Sequence, residues 1–130
     1  MQTVQQERIL VVEDDPSMSR ILKTCLEAAG YQVHLAGDGA KAMAHLSASD
    51  VDLVLLDVRL PDCSGYEVCR KIRQKFQPWA PHILMLTGLD QPVDQLRGYA
   101  FGADAYLTKP CELQELRKTI AQLLAARTTS

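Results

Sequence analysis

Five short runs rich in apolar residues punctuate the chain, most closing on polar or acidic residues, and between them apolar positions recur at helical spacing. Ile9-Leu10-Val11-Val12, Gln32-Val33-His34-Leu35, Val51 to Leu56, His82 to Leu86 and Asp104-Ala105-Tyr106-Leu107 have the length of strands. The first, third and fourth are apolar almost throughout, as strands buried on both faces must be. The first intervening segment starts with Pro16, suited to the first helical position. It keeps Met18, Ile21, Leu22, Cys25 and Leu26 on one face and stops at Gly30. Asp15, just ahead of Pro16, reads as its N-cap.

Asp38-Gly39 opens a second helix through Met43 and Leu46. Ser64-Gly65-Tyr66-Glu67 has the spacing of a capping box, so a third helix runs through Cys69, Ile72 and Phe76 until Pro78 and Pro81 end it. Asp90 to Phe101 is a weaker helix: Pro92 fits only its first turn, and Gly98 costs about 1 kcal/mol in its interior. It is expected to be the most mobile of the five. The last helix carries Leu113, Leu116, Ile120, Leu123 and Leu124. Strand and helix alternate five times, which predicts an α/β fold with a parallel sheet covered on both faces through right-handed crossovers. With no internal linker, the domain spans 8–127 between short tails, 1–7 and 128–130.

Composition adds mostly exclusions. A chain of 130 residues fits one domain and needs no staples to bury a core. Hydrophobic content of 47% and a net charge of −2 are ordinary for a globular protein and give no electrostatic reason to expect nucleic acid or an acidic membrane surface. No apolar run approaches a membrane span, and Met1 to Gln6 lacks the pattern of a signal peptide, so a cytoplasmic location is expected. Cys25, Cys63, Cys69 and Cys111 include no C-x-x-C pair and read as reduced thiols. His34, His45 and His82 have no metal-ligand spacing and read as structural. Trp79, in a Pro-flanked loop, reads as cover for the sheet edge, with a partner contact as the alternative.

The candidate chemistry lies where the strands end. In open parallel sheets ligands bind outside the carboxyl ends of the strands. Glu13 and Asp14 follow the first strand, Asp57 the third, Thr87 the fourth and Lys109 the fifth. Singly, each has a plainer reading: a solvated turn, an aspartate closing a strand, a strand threonine, a solvated lysine. Together they bring three acids, a hydroxyl and an amine to one edge. Two carboxylates about 5 Å apart repel by roughly 3 kcal/mol at an effective dielectric near 20, so such a cluster calls for a cation. Mg²⁺ suits it, since Mg²⁺ prefers oxygen ligands and takes one or two carboxylates while keeping waters. Mn²⁺ is a substitute.

Ile-Leu-Val-Val-Glu-Asp-Asp-Pro (9–16), Val-Leu-Leu-Asp-Val-Arg-Leu-Pro-Asp (54–62) with Ser64-Gly65, Thr87-Gly88, and Gly-Ala-Asp-Ala-Tyr-Leu-Thr-Lys-Pro (102–110) fall in order over nearly the whole chain. In these pieces the sequence resembles the receiver domains of two-component response regulators. The resemblance implies a flavodoxin-like (βα)5 doubly wound five-stranded parallel sheet of strand order 2-1-3-4-5. It implies that Asp57 is the phosphoacceptor, taking a phosphoryl group from a sensor histidine kinase or histidine phosphotransfer protein. Asp14, Asp57 and the backbone carbonyl of Arg59 would hold the metal, with Glu13 acting through water. Lys109, after a cis peptide to Pro110, would pair with the acids and then with the phosphoryl oxygens. Thr87 would bond the phosphoryl group and, coupled to inward rotation of Tyr106, change the surface of helix four, strand five and helix five for a downstream protein target. That face also allows a homodimer.

Such a protein is a phosphoacceptor that assists its own modification rather than an enzyme. An aspartyl phosphate is a mixed anhydride that hydrolyses, which suits a reversible signal. Three positions bear on how this sequence compares with the commonest pattern of the family. Glu13 replaces the more frequent aspartate. Arg59 and Leu89 stand where receivers tune loss of the phosphoryl group; Leu89 cannot orient an attacking water, and slow self-dephosphorylation is expected. A flavin or nucleotide fold would want a Gly-rich or hydroxyl-rich loop after strand one, where three acids stand. An aspartate phosphatase would want a second aspartate at position 59, where Arg59 stands. The remaining alternative is a degenerate receiver that binds protein without being phosphorylated; intact Asp57, Thr87 and Lys109 weigh against it.

Overall fold

The computed structural model describes residues 6–127. Most of the two expected tails, 1–7 and 128–130, lies outside the described residues. The elements are β1 (Arg8–Val12), α1 (Pro16–Ala28), β2 (Gln32–Ala36), α2 (Gly39–Ala48), β3 (Leu53–Leu56), α3 (Gly65–Phe76), β4 (His82–Thr87), α4 (Pro92–Ala100), β5 (Ala105–Thr108) and α5 (Leu113–Arg127). All strand pairs are parallel, in the order β2-β1-β3-β4-β5. The strand direction of travel reverses at β1, so the crevice above β1 and β3 is the switch point of the sheet.

Alternation along the central strands feeds two cores. Leu10, Val12, Val54, Leu56, Ile83 and Met85 face α2 and α3, meeting Ala42, Leu46, Val68, Cys69 and Ile72. Ile9, Val11, Leu53, Leu55, Leu84 and Leu86 face α1 and α5, meeting Leu22, Leu26, Leu116, Ile120 and Leu124. The period of two in β-strands makes both faces apolar, and that is why these strands read as continuous hydrophobic runs.

Several local expectations need correction. Val51 and Asp52 fall outside β3, where Asp52 uses its carboxylate to accept from the Arg8 backbone N–H at 2.8 Å. Asp104 precedes β5 rather than starting it, because its side chain accepts from the Ile83 N–H and pairs with Arg73. Ile21 is 52% and Leu113 41% exposed, so the apolar stripes of α1 and α5 are broader than the faces they bury. Glu67 forms no capping box with Ser64. It is drawn to Arg70 at 2.6 Å, one turn along, while Ser64 caps through the Tyr66 N–H. At α4, Asp94 accepts from the Gln91 N–H at 3.1 Å, a box arm the sequence did not suggest. Trp79 is 81% exposed and covers little of the sheet edge. Asp15 does cap α1, accepting from the Ser17 N–H at 2.9 Å.

Candidate functional site

The parallel ladder carries the acids into one crevice. Beyond the assigned strand ends, the Glu13 N–H donates to Ala36 O and the Asp57 N–H to Val12 O at 3.1 Å, so both residues leave the sheet in register. Glu13 and Asp57 are buried, and Asp14 is exposed. One carboxylate oxygen from each of Glu13, Asp14 and Asp57 lies within 4.8 Å of the others. Lys109 reaches across from the end of β5. Its Nζ donates to Glu13 Oε1 at 2.5 Å and to Asp57 Oδ2 at 3.0 Å.

The peptide between Lys109 and Pro110 is cis, as the resemblance implies, and so is that between Gln77 and Pro78, which had no sequence signal. The Lys109 N–H donates to Thr87 O at 2.8 Å, which ties the end of β5 to the end of β4. Burial opposes the charged form of Lys109, but the bonds to Glu13 and Asp57 outweigh it and raise its pKa. Burial raises the Glu13 carboxyl above its usual range, against the pull of Lys109 and of the Asp15 N–H. Both directions follow from one arrangement: ions removed from water beside one another, with more negative than positive charge.

Three carboxylates against one ammonium leave an excess of negative charge that a divalent cation would cancel. The donors are hard oxygens, two walled in and one open to solvent, a set that fits an ion keeping part of its water shell. Arg59 has its side chain exposed, while its N–H bonds Asp57 Oδ1 at 3.3 Å. The loop from Asp57 to Ser64 folds back through an Arg59–Ser64 bridge and a 2.6 Å bond from the Gly65 N–H to Val58 O. Only glycine fits at 65: a Cβ there would lie 2.2 Å from the Asp57 carbonyl oxygen.

Thr87 is fully buried at the end of β4. Tyr106 is turned inward, 7% exposed, with its hydroxyl donating to Leu89 O at 2.8 Å. Two neighbours of this ring were missed by the sequence reading. Gly98, read as a weakness of α4, is where the Tyr106 ring packs: a Cβ there would sit 2.9 Å from Tyr106 Cδ2. Tyr66, at the start of α3, donates its hydroxyl to Asp94 O at 3.2 Å and stacks on Phe101. The signal for Tyr66 was an aromatic in a first helical turn, which nothing local could link to α4.

All four cysteines are free thiols. The His34 and His45 rings lie side by side, 4.7 Å between centroids, while His82 Nδ1 faces Asp104 at 3.7 Å. No helix among the described residues is long and apolar enough to cross a membrane.

A family model for the response regulator receiver domain matches residues 9–121. The DNA-binding transcriptional regulator RpaA of Synechocystis is 40% identical over 117 residues, which cover 90% of this chain and 48% of RpaA. This chain spans about half the length of the curated relatives it matches. Among solved structures, a CheY-like receiver domain from Methanospirillum hungatei superposes with a TM-score of 0.88 at 30% identity, over 94% of this chain and 96% of that one. The response regulator TrrA of Thermotoga maritima, solved in complex with Mg²⁺ and BeF, gives 0.82 at 34% identity, over 91% and 99%. On the family match, the strand order and the acid-lined crevice together, the chain belongs to the receiver domains of two-component response regulators.

Proposed function

We propose that this receiver, residues 8–127, accepts a phosphoryl group on Asp57 from the phosphohistidine of a sensor histidine kinase or a histidine phosphotransfer protein. The observation that carries the reading is the Lys109 ammonium bridging Glu13 and Asp57 inside a cluster of three carboxylates. Asp57 Oδ attacks phosphorus, the new O–P bond forms as the N–P bond breaks, and the electron pair returns to the histidine nitrogen of the donor. Such transfer asks the protein mainly for position and charge. Asp14, Asp57 and the Arg59 carbonyl would hold Mg²⁺, or Mn²⁺ in its place, with Glu13 reached through water. The ion supplies neutralisation of the acids and of the incoming oxygens. Lys109 would be freed from Asp57 as that carboxylate is phosphorylated, and would turn to the phosphoryl oxygens. Thr87 takes another oxygen, and Gly88 leaves it room.

With Thr87 engaged, the inward position of Tyr106 is favoured, and the face built by α4, β5 and α5 becomes competent for a downstream protein target or a second copy. A coupling of about 1–3 kcal/mol is the expected scale. TrrA, crystallised with Mg²⁺ and BeF, lends the metal reading support by similarity. The setting proposed is cytoplasmic.

The test is intact mass after incubation with a small-molecule phosphodonor and Mg²⁺. We expect one phosphoryl adduct in the native chain, none in Asp57→Asn, and none with a chelator. An adduct that survives Asp57→Asn would move the acceptor elsewhere, and no adduct under any condition would leave a protein-binding module. After removal of donor the adduct should persist for minutes or longer, since Leu89 cannot position a water; loss within seconds would refute that part.

A further inference from the structure

The loop that follows Asp57 carries Arg59, whose carbonyl would serve the metal in the reading above, and its tip is held by a residue outside the acid cluster. Asp62 Oδ1 accepts from the Gly39 N–H at 2.9 Å, and Oδ2 from the Ala40 N–H at 3.0 Å. These are orphan donors of the first turn of α2. A third, Lys41 N–H, is capped locally by Asp38 at 2.7 Å. The helix is thus capped twice, once by its own N-cap residue and once from a loop more than twenty residues along the chain. The contact is tight: a Cβ on Gly39 would lie 2.4 Å from Cys63 Sγ and 3.4 Å from Asp62 Oδ1. Bonds to the two N–H groups hold the Asp62 carboxyl below the usual range, so it stays an acceptor at neutral pH.

The base of the same loop is closed by the Arg59–Ser64 bridge and the Gly65 N–H to Val58 O bond. Base and tip together leave the segment that carries Arg59 little freedom. Asp38 alone would suffice as the N-cap of an ordinary helix, so a second cap from this loop has a consequence for the loop as well as for the helix.

We infer that Asp62 is a positioning residue for the metal: by clamping the tip of the β3–α3 loop to the start of α2, it fixes the Arg59 carbonyl relative to Asp57. This rests on the metal binding proposed above. It makes affinity for the ion depend on a side chain that does not touch it, as outer-shell partners of metal ligands do.

The experiment titrates Mg²⁺ into unphosphorylated protein by calorimetry, with Mn²⁺ binding followed by electron paramagnetic resonance, and measures the metal-free melting temperature in parallel. The variants are Asp62→Ala, Asp62→Asn and Asp38→Ala. Asp62→Ala should weaken metal binding by about tenfold. Asp62→Asn, which keeps one acceptor oxygen, should fall between it and the native chain. Asp38→Ala removes a cap from the same helix without touching the loop, so it should lower the melting temperature and leave metal affinity unchanged. Native metal affinity in Asp62→Ala, or an equal loss in Asp38→Ala, overturns the inference. Should Asp62→Ala not fold, Asp62→Asn decides alone: native affinity overturns the inference, and weaker binding supports it. A native chain that binds neither ion removes the metal reading itself, and this inference with it.

Discussion

Burial opposes the charged form of both Lys109 and Cys69, and their partners make the outcomes opposite. The ammonium of Lys109 is taken from water yet keeps its proton, because two carboxylates stand within 3.0 Å. Cys69 has no such partner. It is fully buried among the α3 side chains, its Sγ directed to Phe101 O at 3.2 Å, and desolvation pushes its pKa up to about 11. A raised thiol pKa leaves less thiolate at any pH below it. At pH 8 the thiolate fraction is on the order of 0.1%, against about 10% for a thiol at its ordinary value, so reaction slows about a hundredfold before steric protection is counted. In native protein a thiol reagent should modify Cys69 last of the four, and Cys69→Ser should remove only the slowest phase. A fast phase lost in that variant would contradict the burial. The unfolded thiol ionises from pH 9.0 upward and the folded one only near 11, so this group's contribution to stability is present below pH 9 and lost as pH rises through that window.

At the scale of the element, α4 is the helix whose reading changed most. The sequence marked Pro92 and Gly98 as liabilities. Pro92 does take the first helical position, and Gly98, the one buried residue of α4, is the seat of the Tyr106 ring. A methyl group at 98 would gain about 1 kcal/mol of helix propensity but would press on a ring and on Met85 Sδ, both buried. Overpacking of that kind costs about 1–3 kcal/mol. Gly98→Ala should therefore destabilise the native chain by about 1 kcal/mol, yet stabilise a Tyr106→Ala background, where the ring is gone. Denaturant melts of the four proteins in this cycle check it. The same sign in both backgrounds would mean that Gly98 and Tyr106 do not couple. Propensity is local and could be read from the chain; the ring that occupies the space comes from another element.

For the molecule as a whole, the two cores differ in what they carry. The buried residues on the α1 and α5 side are all aliphatic, with Tyr31, Met18 and Cys111 only partly buried against them, whereas the buried set on the α3 and α4 side includes Tyr66, Tyr106 and the hydroxyl bonds that tie the β4–α4 segment. Val93, Leu96 and Tyr99 of α4 stay exposed. A helix with most of its apolar side chains exposed, held by one phenol hydroxyl on Asp94 and a second on Leu89 just before it, belongs to the less stable end of the molecule. Hydrogen exchange with and without phosphorylation should change most at 92–100, while β1 and β3 stay protected. Unchanged exchange in α4 would count against its being the moving part.

What the sequence by itself determined is set by short-range rules. Helix starts at Pro16 and Ser64, the run of Ile9 to Val12, the greater part of the run read as Val51 to Leu56, and the placing of Glu13, Asp14, Asp57, Thr87 and Lys109 at strand ends all follow from periodicity and turn chemistry. A parallel sheet then sends those ends to one edge whatever its strand order, so the acid cluster was legible before its geometry was. Only the tertiary structure decided which donors the acids meet. The link of Asp62 to Gly39 and Ala40, the fit of Gly98 around Tyr106 and the diversion of Glu67 to Arg70 depend on distances between elements or on competing partners. Hydrogen bonds and close packing act within a few ångströms, and residues far apart in the chain come that close only when the packing of helices on the sheet has fixed where each element lies.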